Sequence, residues 1–402
     1  MADLRVEFAG VEFKNPVLIG SSSLSNHPAK LRRLEEAGVG GIVTKLASNM
    51  VPPRVDRQPY RAVLLGNGAW CVAGGDRRLT LEEGVELVKT AKKELRIPII
   101  ASVVGKSYFA DSWVENARAL EKAGADMLEM DLNCQIYHEE KDGFPLFTGD
   151  SIGQHPDLIS STTRALKNAV KIPVIAKLTP KFLDLSPLGL AAKQGGADGL
   201  TAINALAGFG GLDIRNGGRP VFPGVELEDG TPAQSFAALL GAPLTRIAEY
   251  HTILLAKNVG LPLSGNGGIM DWEDAVRRMM VGATTVQLCS TVYLNGLKAV
   301  TDCVAGMNRF LDEYGYRSPA DIIGLGLPYV VDREKLVFYP LKAVITDTSW
   351  NGWPEVVERV QGDCLALSMQ GGVPVIDSEE CTGCSLCYWF AREGAVRIDV
   401  QK

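Results

Sequence analysis

Eight short apolar runs, separated by stretches of helical pattern, constrain this chain more than any other feature. They fall at 16–21 (PVLIGS), 41–47 (GIVTKLA), 98–104 (PIIASVV), 127–133 (MLEMDLN), 173–179 (PVIAKLT), 199–205 (GLTAINA), 261–266 (LPLSGN) and 284–290 (TTVQLCS). Runs this short and rich in β-branched residues read as strands. The segments between them, such as LEEGVELVKTAKKEL, SWVENARALEKAGA and DLISSTTRALKNAV, have helical spacing and end in Gly-Ala-Asp or Lys-Ile-Pro turns. Eight such alternations predict a (β/α)8 TIM barrel of the α/β class over residues 1–315.

Three longer insertions, at 48–78, 135–155 and 206–236, each follow a strand, where barrel enzymes build the walls and lids of their sites. After about residue 315 the period is lost. Residues 316–402 carry CTGCSLC near their end, which sets them apart as a small appendage. No internal repeat or low-complexity tract is evident.

Composition narrows the class of partner. A chain of 402 residues with a net charge of −6 and no Lys/Arg run offers nothing to nucleic acid or an anionic membrane. No apolar run approaches the roughly 18 residues of a membrane span, and the opening MADLRVEFAG has neither a basic nor an apolar leader segment. A cytoplasmic protein without a span is expected. The eight cysteines are scattered apart from three near the C-terminus, the pattern of a reduced compartment with a metal site rather than a disulfide framework.

Polar residues at barrel strand ends point into the site. Lys45 ends the second run, Asp131, Asn133 and Cys134 the fourth, Lys177 the fifth and Asn204 the sixth. A lysine after an apolar run is costly to bury without an anionic partner, so Lys45 and Lys177 suggest a negatively charged cofactor, an internal ion pair being the alternative. Asn133 and Asn204 have the simpler option of satisfying backbone groups. The stretch Leu263 to Thr291 reads as strand, glycine turn, helix and strand. Gly267 and Gly268 leave backbone N–H groups uncovered, the helix opening near Asp271 points its positive end outward, and Cys289-Ser290 follows the next strand. Such a unit cradles a phosphate.

Taken together, Asp131-Leu132-Asn133-Cys134-Gln135, AKLTP around Lys177, TAIN around Asn204, NGGI at 266–269 and VQLCS at 286–290 resemble the FMN barrel of dihydroorotate and, more closely, dihydropyrimidine dehydrogenases. The segment 310–324, FLDEYGYRSPADIIG, is similar to the piece that closes that barrel, and the match runs from about residue 5 to 325. The resemblance implies FMN at the barrel mouth. Its phosphate would lie on the amides of Gly267, Gly268, Cys289 and Ser290, with Ser21, Ser22 and Ser23 near the ring and Asn204 and Gly241 also on the cofactor. Lys177 would face the N1–C2 edge of the ring, Lys45 would lie close to the flavin and the substrate as a second catalytic residue, and Cys134 would exchange the substrate's proton.

Departures qualify the substrate. The family's Asn-Leu-Ser-Cys-Pro is here Asp131-Leu132-Asn133-Cys134-Gln135, and an ionised Asp only accepts hydrogen bonds, which puts pyrimidine recognition in doubt. Asp131, Asn133, Asn204 and His138 are the candidate substrate contacts, with Tyr137 and Arg215 in the insertions. In the tail, Cys381, Cys384 and Cys387 resemble half of a bacterial ferredoxin whose fourth cysteine is replaced at Ala391-Arg392. Three ligands hold a 3Fe-4S cluster, or a 4Fe-4S cluster completed by Cys364 or a partner; zinc is the competing metal. No nicotinamide-binding unit is visible, because Gly38-Val39-Gly40 lies between helix and strand, the reverse of the order required.

The chain thus reads as an FMN-dependent oxidoreductase acting on a C–C bond conjugated to a carbonyl. Its electrons would pass through the iron–sulfur tail to a ferredoxin or an NAD(P)H-oxidising subunit, in a homo- or hetero-oligomer. The alternatives are a non-catalytic electron-transfer or scaffold subunit, and a true pyrimidine dehydrogenase with an unusual site.

Overall fold

In the computed structural model, eight parallel strands close on themselves. They are β1 (Val17–Ile19), β2 (Gly41–Val43), β3 (Ile99–Val103), β4 (Met127–Asp131), β5 (Val174–Lys177), β6 (Gly199–Ala202), β7 (Leu263–Asn266) and β8 (Thr285–Leu288). Each pairs with its neighbour in order, and β8 returns to β1 with Val286 opposite Val17. All eight apolar runs are barrel strands. The structure describes residues 2–50, 61–73, 78–106, 110–134, 139–141, 144–146 and 149–402.

The outer layer is the expected ring of helices, α1 (Pro28–Glu36), α2 (Leu81–Glu94), α3 (Ala110–Lys122), α4 (Pro156–Ala169), α5 (Ser186–Gly195), α6 (Thr245–Asn258), α7 (Trp272–Met280) and α8 (Lys298–Glu313). Local chemistry fixes the ends. Thr80 and Glu83 form a reciprocal cap on α2, Thr80 accepting from Glu83 N at 3.2 Å while Glu83 accepts from Thr80 N at 3.0 Å. The Gly-Ala-Asp turns work as staples. Asp126 accepts from Lys92 Nζ of α2 and from Ile99 N of β3, both at 2.7 Å, and Asp198 does the same for Lys167 (2.6 Å) and Val174 N (2.7 Å).

A hairpin, Val6–Phe8 paired with Val11–Phe13, drives Phe8 and Phe13 into a cluster with Leu18, Val43, Ile100, Met127 and Ile175, side chains near the strand beginnings. That end is plugged with apolar groups, so any site opens at the other end. There, two of the insertions meet. Ala62–Gly66 and Ala69–Ala73 join Leu206–Gly208 and Ala237–Gly241 in one four-stranded antiparallel sheet, with Leu239 opposite Cys71.

The chain divides into two compact units, Met1–Tyr329 and Val330–Lys402. The second is more regular than its lost period suggests. It runs strand Leu341–Ile345, helix Trp353–Val360, strands Leu367–Gln370 and Val373–Ile376, helix Leu386–Phe390 and strand Val396–Val400, around a core of Trp353, Val356, Val360, Leu367, Cys387 and Val396. Among the described residues no helix is long and apolar enough to cross a membrane.

Candidate active site

The barrel's open end holds a cavity of about 690 Å³, lined by Ser21, Ser22, Lys45, Asp131, Asn133, Cys134, Lys177, Asn204, Gly241, Gly267, Gly268, Cys289 and Ser290. Of the described candidates in the first unit, Ser23 and Arg215 do not lie on it. His138, with Tyr137, falls outside the described residues. Arg215 sits on an exposed turn, Ile214–Asn216, and is not on the cavity wall.

Beneath the cavity the barrel interior is polar. Lys177 and Glu129 are both buried, and Lys177 Nζ lies 3.1 Å from Glu129 Oε1. Glu129 Oε2 accepts from Thr201 Oγ1 and Gln287 Nε2, each at 2.9 Å. Burial works against the Lys177 ammonium, but Glu129 and Asp131 outweigh it and hold its pKa above the ordinary lysine value. The internal partner considered for Lys177 therefore exists, and the same lysine still reaches the cavity. Gln287 Oε1 is buried on that cavity with no hydrogen-bond partner among the described residues. Glu129 and Gln287 carry the signal that marks Lys177, a polar residue inside an apolar run, but they lie within their runs rather than at the ends.

The rim after β4 is organised by Asp131. Its Oδ1 accepts from Asn133 N and Cys134 N at 2.9 Å and from Asn204 Nδ2 at 3.3 Å. Asp131 thus shapes the cysteine loop in addition to lining the cavity. Asn133 Oδ1 accepts from Thr179 Oγ1, and Asn204 Oδ1 from Ala205 N at 2.9 Å, the backbone duty open to such amides. The Cys134 thiol receives a hydrogen bond from Arg78 Nε at 3.1 Å. Burial pushes the thiol's pKa up, Arg78 and Lys45 pull it down, and Asp131 adds to the rise; the net direction is upward. Arg78 has no local sequence signal, since its partner lies 56 residues away. Beyond the loop, strands Glu139–Lys141 and Phe144–Leu146 pair antiparallel, and the chain returns at Gly149 and Gly153. A Cβ at either glycine would come within 1.9 Å of the Asp131 or Leu132 carbonyl oxygen, so the returning backbone abuts the residues from which the loop departed.

Opposite stands the glycine turn after β7. Gly267 and Gly268 have φ of +92° and +72°, and a Cβ on Gly268 would lie 2.2 Å from Thr245 N. Side chains are excluded there by both conformation and space. The Gly267 N–H is not uncovered as expected, because Asn266 Oδ1 accepts from it at 2.8 Å. Arg278, fully buried on α7, pins the turn from behind, donating to Gly267 O (3.0 Å), Thr245 O (3.1 Å) and Asn266 O (3.2 Å). Burial lowers its pKa to about 10, so it remains a cation at neutral pH.

In the second unit, Cys364, Cys381, Cys384 and Cys387 line one small hollow, and none of them forms a disulfide. Burial, then the neighbouring Cys384, Cys364 and Cys381, push Cys387 up to about 11. Among the described residues no three His, Cys, Asp or Glu side chains are gathered closely enough to hold a metal ion as they stand, so loading this hollow requires the thiols to draw in.

The sequence model of the family described as dihydroorotate dehydrogenase matches residues 3–311. The chain is 34% identical over 335 residues to the catalytic subunit of dihydroorotate dehydrogenase B (NAD(+)) of Pyrococcus abyssi (strain GE5 / Orsay), which covers 81% of this chain and 99% of that one. The same subunit of Pyrococcus furiosus is 32% identical over 331 residues, covering 80% and 98%. The NAD-dependent dihydropyrimidine dehydrogenase subunit PreA of Escherichia coli (strain K12) is 28% identical over 402 residues, covering 98% of this chain and 86% of its own length. A barrel whose open end gathers this cysteine loop, lysine pair and glycine turn, and whose sequence matches that model over its length, belongs to the dihydroorotate dehydrogenase family of oxidoreductases.

Proposed function

We propose that the protein is an FMN-dependent oxidoreductase that adds or removes hydrogen across a C–C bond conjugated to a carbonyl, and that it exchanges electrons with a partner protein through an iron–sulfur cluster in its second unit. The observation that carries the reading is the convergence in one cavity of the Cys134 thiol, Lys45, Lys177 and the Gly267-Gly268 turn. A volume of about 690 Å³ lies in the usual range for a small-molecule site. Glu129 holds the Gln287 amide so that Oε1, which lacks a donor, presents an acceptor to a ligand N–H or hydroxyl. These features fit a flavin mononucleotide. Gly268, Cys289 and Ser290 would hold its phosphate, Gly267 shaping the turn while its N–H is held by Asn266, with Ser21, Ser22, Lys45, Lys177, Asn204 and Gly241 around the rest. When bound, FMN supplies the hydride chemistry.

The protein's own groups supply the rest. Lys177 keeps a positive charge on the cavity floor because Glu129 and Asp131 hold its proton. Cys134, raised by burial, retains its proton at neutral pH and can deliver it from Sγ; in the oxidative direction the same sulfur takes the proton and Arg78 stabilises the thiolate. Asp131 keeps the sulfur in place through the loop amides. Because Asp131 accepts only, substrates beyond pyrimidines belong to the proposal. Cys381, Cys384 and Cys387 would ligate the cluster, and eight free cysteines suit the reducing cytoplasm in which we place the protein. Both kinds of relative are named as subunits, which supports a partner.

Anaerobic purification and denaturation should release FMN. Dihydropyrimidines, dihydroorotate and cyclic enones should then separate by their ability to bleach or restore the flavin absorption. Release of FAD, or a protein that stays colourless after flavin reconstitution, would remove the cofactor and the reaction together.

A further inference from the structure

The second unit repeats itself, although its sequence shows no evident repeat. Strand Leu341–Ile345, helix Trp353–Val360 and strand Leu367–Gln370 are followed by strand Val373–Ile376, helix Leu386–Phe390 and strand Val396–Val400. The first strand pairs with the last in one two-stranded sheet and the two middle strands pair with each other in a second, as two copies related by a twofold would. A shift of 31 residues carries Val344-Ile345 onto Val375-Ile376 and Gly352 onto Gly383. The same shift carries Trp350, Trp353 and Val356 onto Cys381, Cys384 and Cys387, and Val360 onto Ala391.

In a protein built of two such halves, three cysteines at close spacing serve the half's own cluster and a fourth crosses to the other one. The fourth position of the second half is Ala391. Its target would be a cluster in the first half, and there the three ligand positions hold Trp350, Trp353 and Val356. The two losses are therefore one loss. The first half is also closed. Trp353 is 1% exposed, its Nε1 donates to Asp347 O at 2.8 Å, and its ring stands edge-on to Trp350 at 5.6 Å. In the opposite direction the position matched to Ala391 is Val360, but Cys364, further along and beyond the end of the first helix, reaches the hollow lined by Cys381, Cys384 and Cys387.

We propose that the second unit holds one four-iron cluster on Cys364, Cys381, Cys384 and Cys387, with Cys364 supplied by the opposite half, and that the matching place in the first half is sealed by Trp350 and Trp353. This rests on the iron–sulfur reading above and deepens it by fixing the number of clusters and the fourth ligand. The second half is anchored for the task. Gly383, at φ +73°, sits where a Cβ would be 2.5 Å from Leu341 O, and Lys342 Nζ donates to Cys381 O at 2.8 Å.

Iron and sulfide analysis with low-temperature EPR on the anaerobic full-length protein tests the proposal. The expected result is about four irons per chain and, after reduction, one four-iron signal without coupling to a second. Cys364→Ala should convert this to a three-iron signal, and adding Ala391→Cys should not restore the fourth iron. A three-iron cluster in the unaltered protein, or restoration by Ala391→Cys, would overturn the assignment of Cys364. About eight irons would overturn the sealed half. Zinc, or no metal after reconstitution, would overturn the iron–sulfur reading itself and leave the flavin site standing. Should Cys364→Ala fail to fold, as judged by circular dichroism, the iron count and signal of the unaltered protein still decide.

Discussion

Beneath the cavity, Glu129, Lys177, Thr201 and Gln287 hang from four different barrel strands and are joined by contacts of 2.9 to 3.1 Å. At the rim, Cys134 rides on a loop tied to one carboxylate, and Arg78, which donates to its sulfur, arrives from an insertion. The interior set is held by strand register, which cannot slip without turning every side chain to the other face. The rim set is held by a few hydrogen bonds and can be rebuilt without touching the barrel. Charge under the cavity is therefore coupled to folding, whereas charge at the rim is coupled mainly to chemistry.

Four substitutions would break or sharpen that contrast. Lys177→Met leaves the Glu129 carboxylate buried without its cation, and should cost about 3–5 kcal/mol in denaturant unfolding as well as weakening flavin binding. Adding Glu129→Gln should recover most of the stability but not the flavin affinity. A single-variant cost below about 1 kcal/mol would mean that the pair is not coupled to folding. Because the Lys177 pKa is raised in the folded protein, this stabilisation persists through neutral pH and is lost only as pH climbs past the ordinary lysine value of 10.5.

Cys134→Ala should lower turnover by about 10²- to 10⁴-fold, the scale of a missing acid or base, with flavin content and melting temperature nearly unchanged. A melting temperature that falls as far as that of Lys177→Met would erase the distinction between rim and floor. The smallest effect is expected from Arg78→Gln. Arg78 lowers the Cys134 pKa, so its removal lets burial raise the thiol further, and a step that needs the thiolate should then begin at higher pH. At neutral pH that step should slow by less than about tenfold. A pH profile that stays in place would show that the 3.1 Å contact does not act on the sulfur.

The same contrast explains how far the sequence can be read. The eight strands are legible because each is a short apolar run with a turn on either side, and Lys177 stands out because a cation breaks such a run. Glu129 and Gln287 break theirs equally, so the floor of the site is written locally. Arg78 is not, because only the folded chain brings it to Cys134. Arg278 is equally hidden, since an arginine in a helix looks like a solvated one until the turn behind which it packs is known. The second unit loses its period because its strands have four or five residues and its helices five to eight, too few turns for a pattern to declare itself. Its internal repeat shows mainly in the backbone, because the positions matched to Cys381, Cys384 and Cys387 hold Trp350, Trp353 and Val356.

One packing detail governs how this protein can change. Gly149 and Gly153 press the returning backbone against Asp131 and Leu132, so everything between Cys134 and Gly149 departs from and comes back to a single anchor. A connection whose two ends are fixed in this way can change in length. Its closure entropy grows only with the logarithm of its length, so insertions there cost the fold little, while the sulfur beside it keeps its position. Transplanting residues 135–148 from a relative, with both glycines retained, is the shortest route to a changed substrate range.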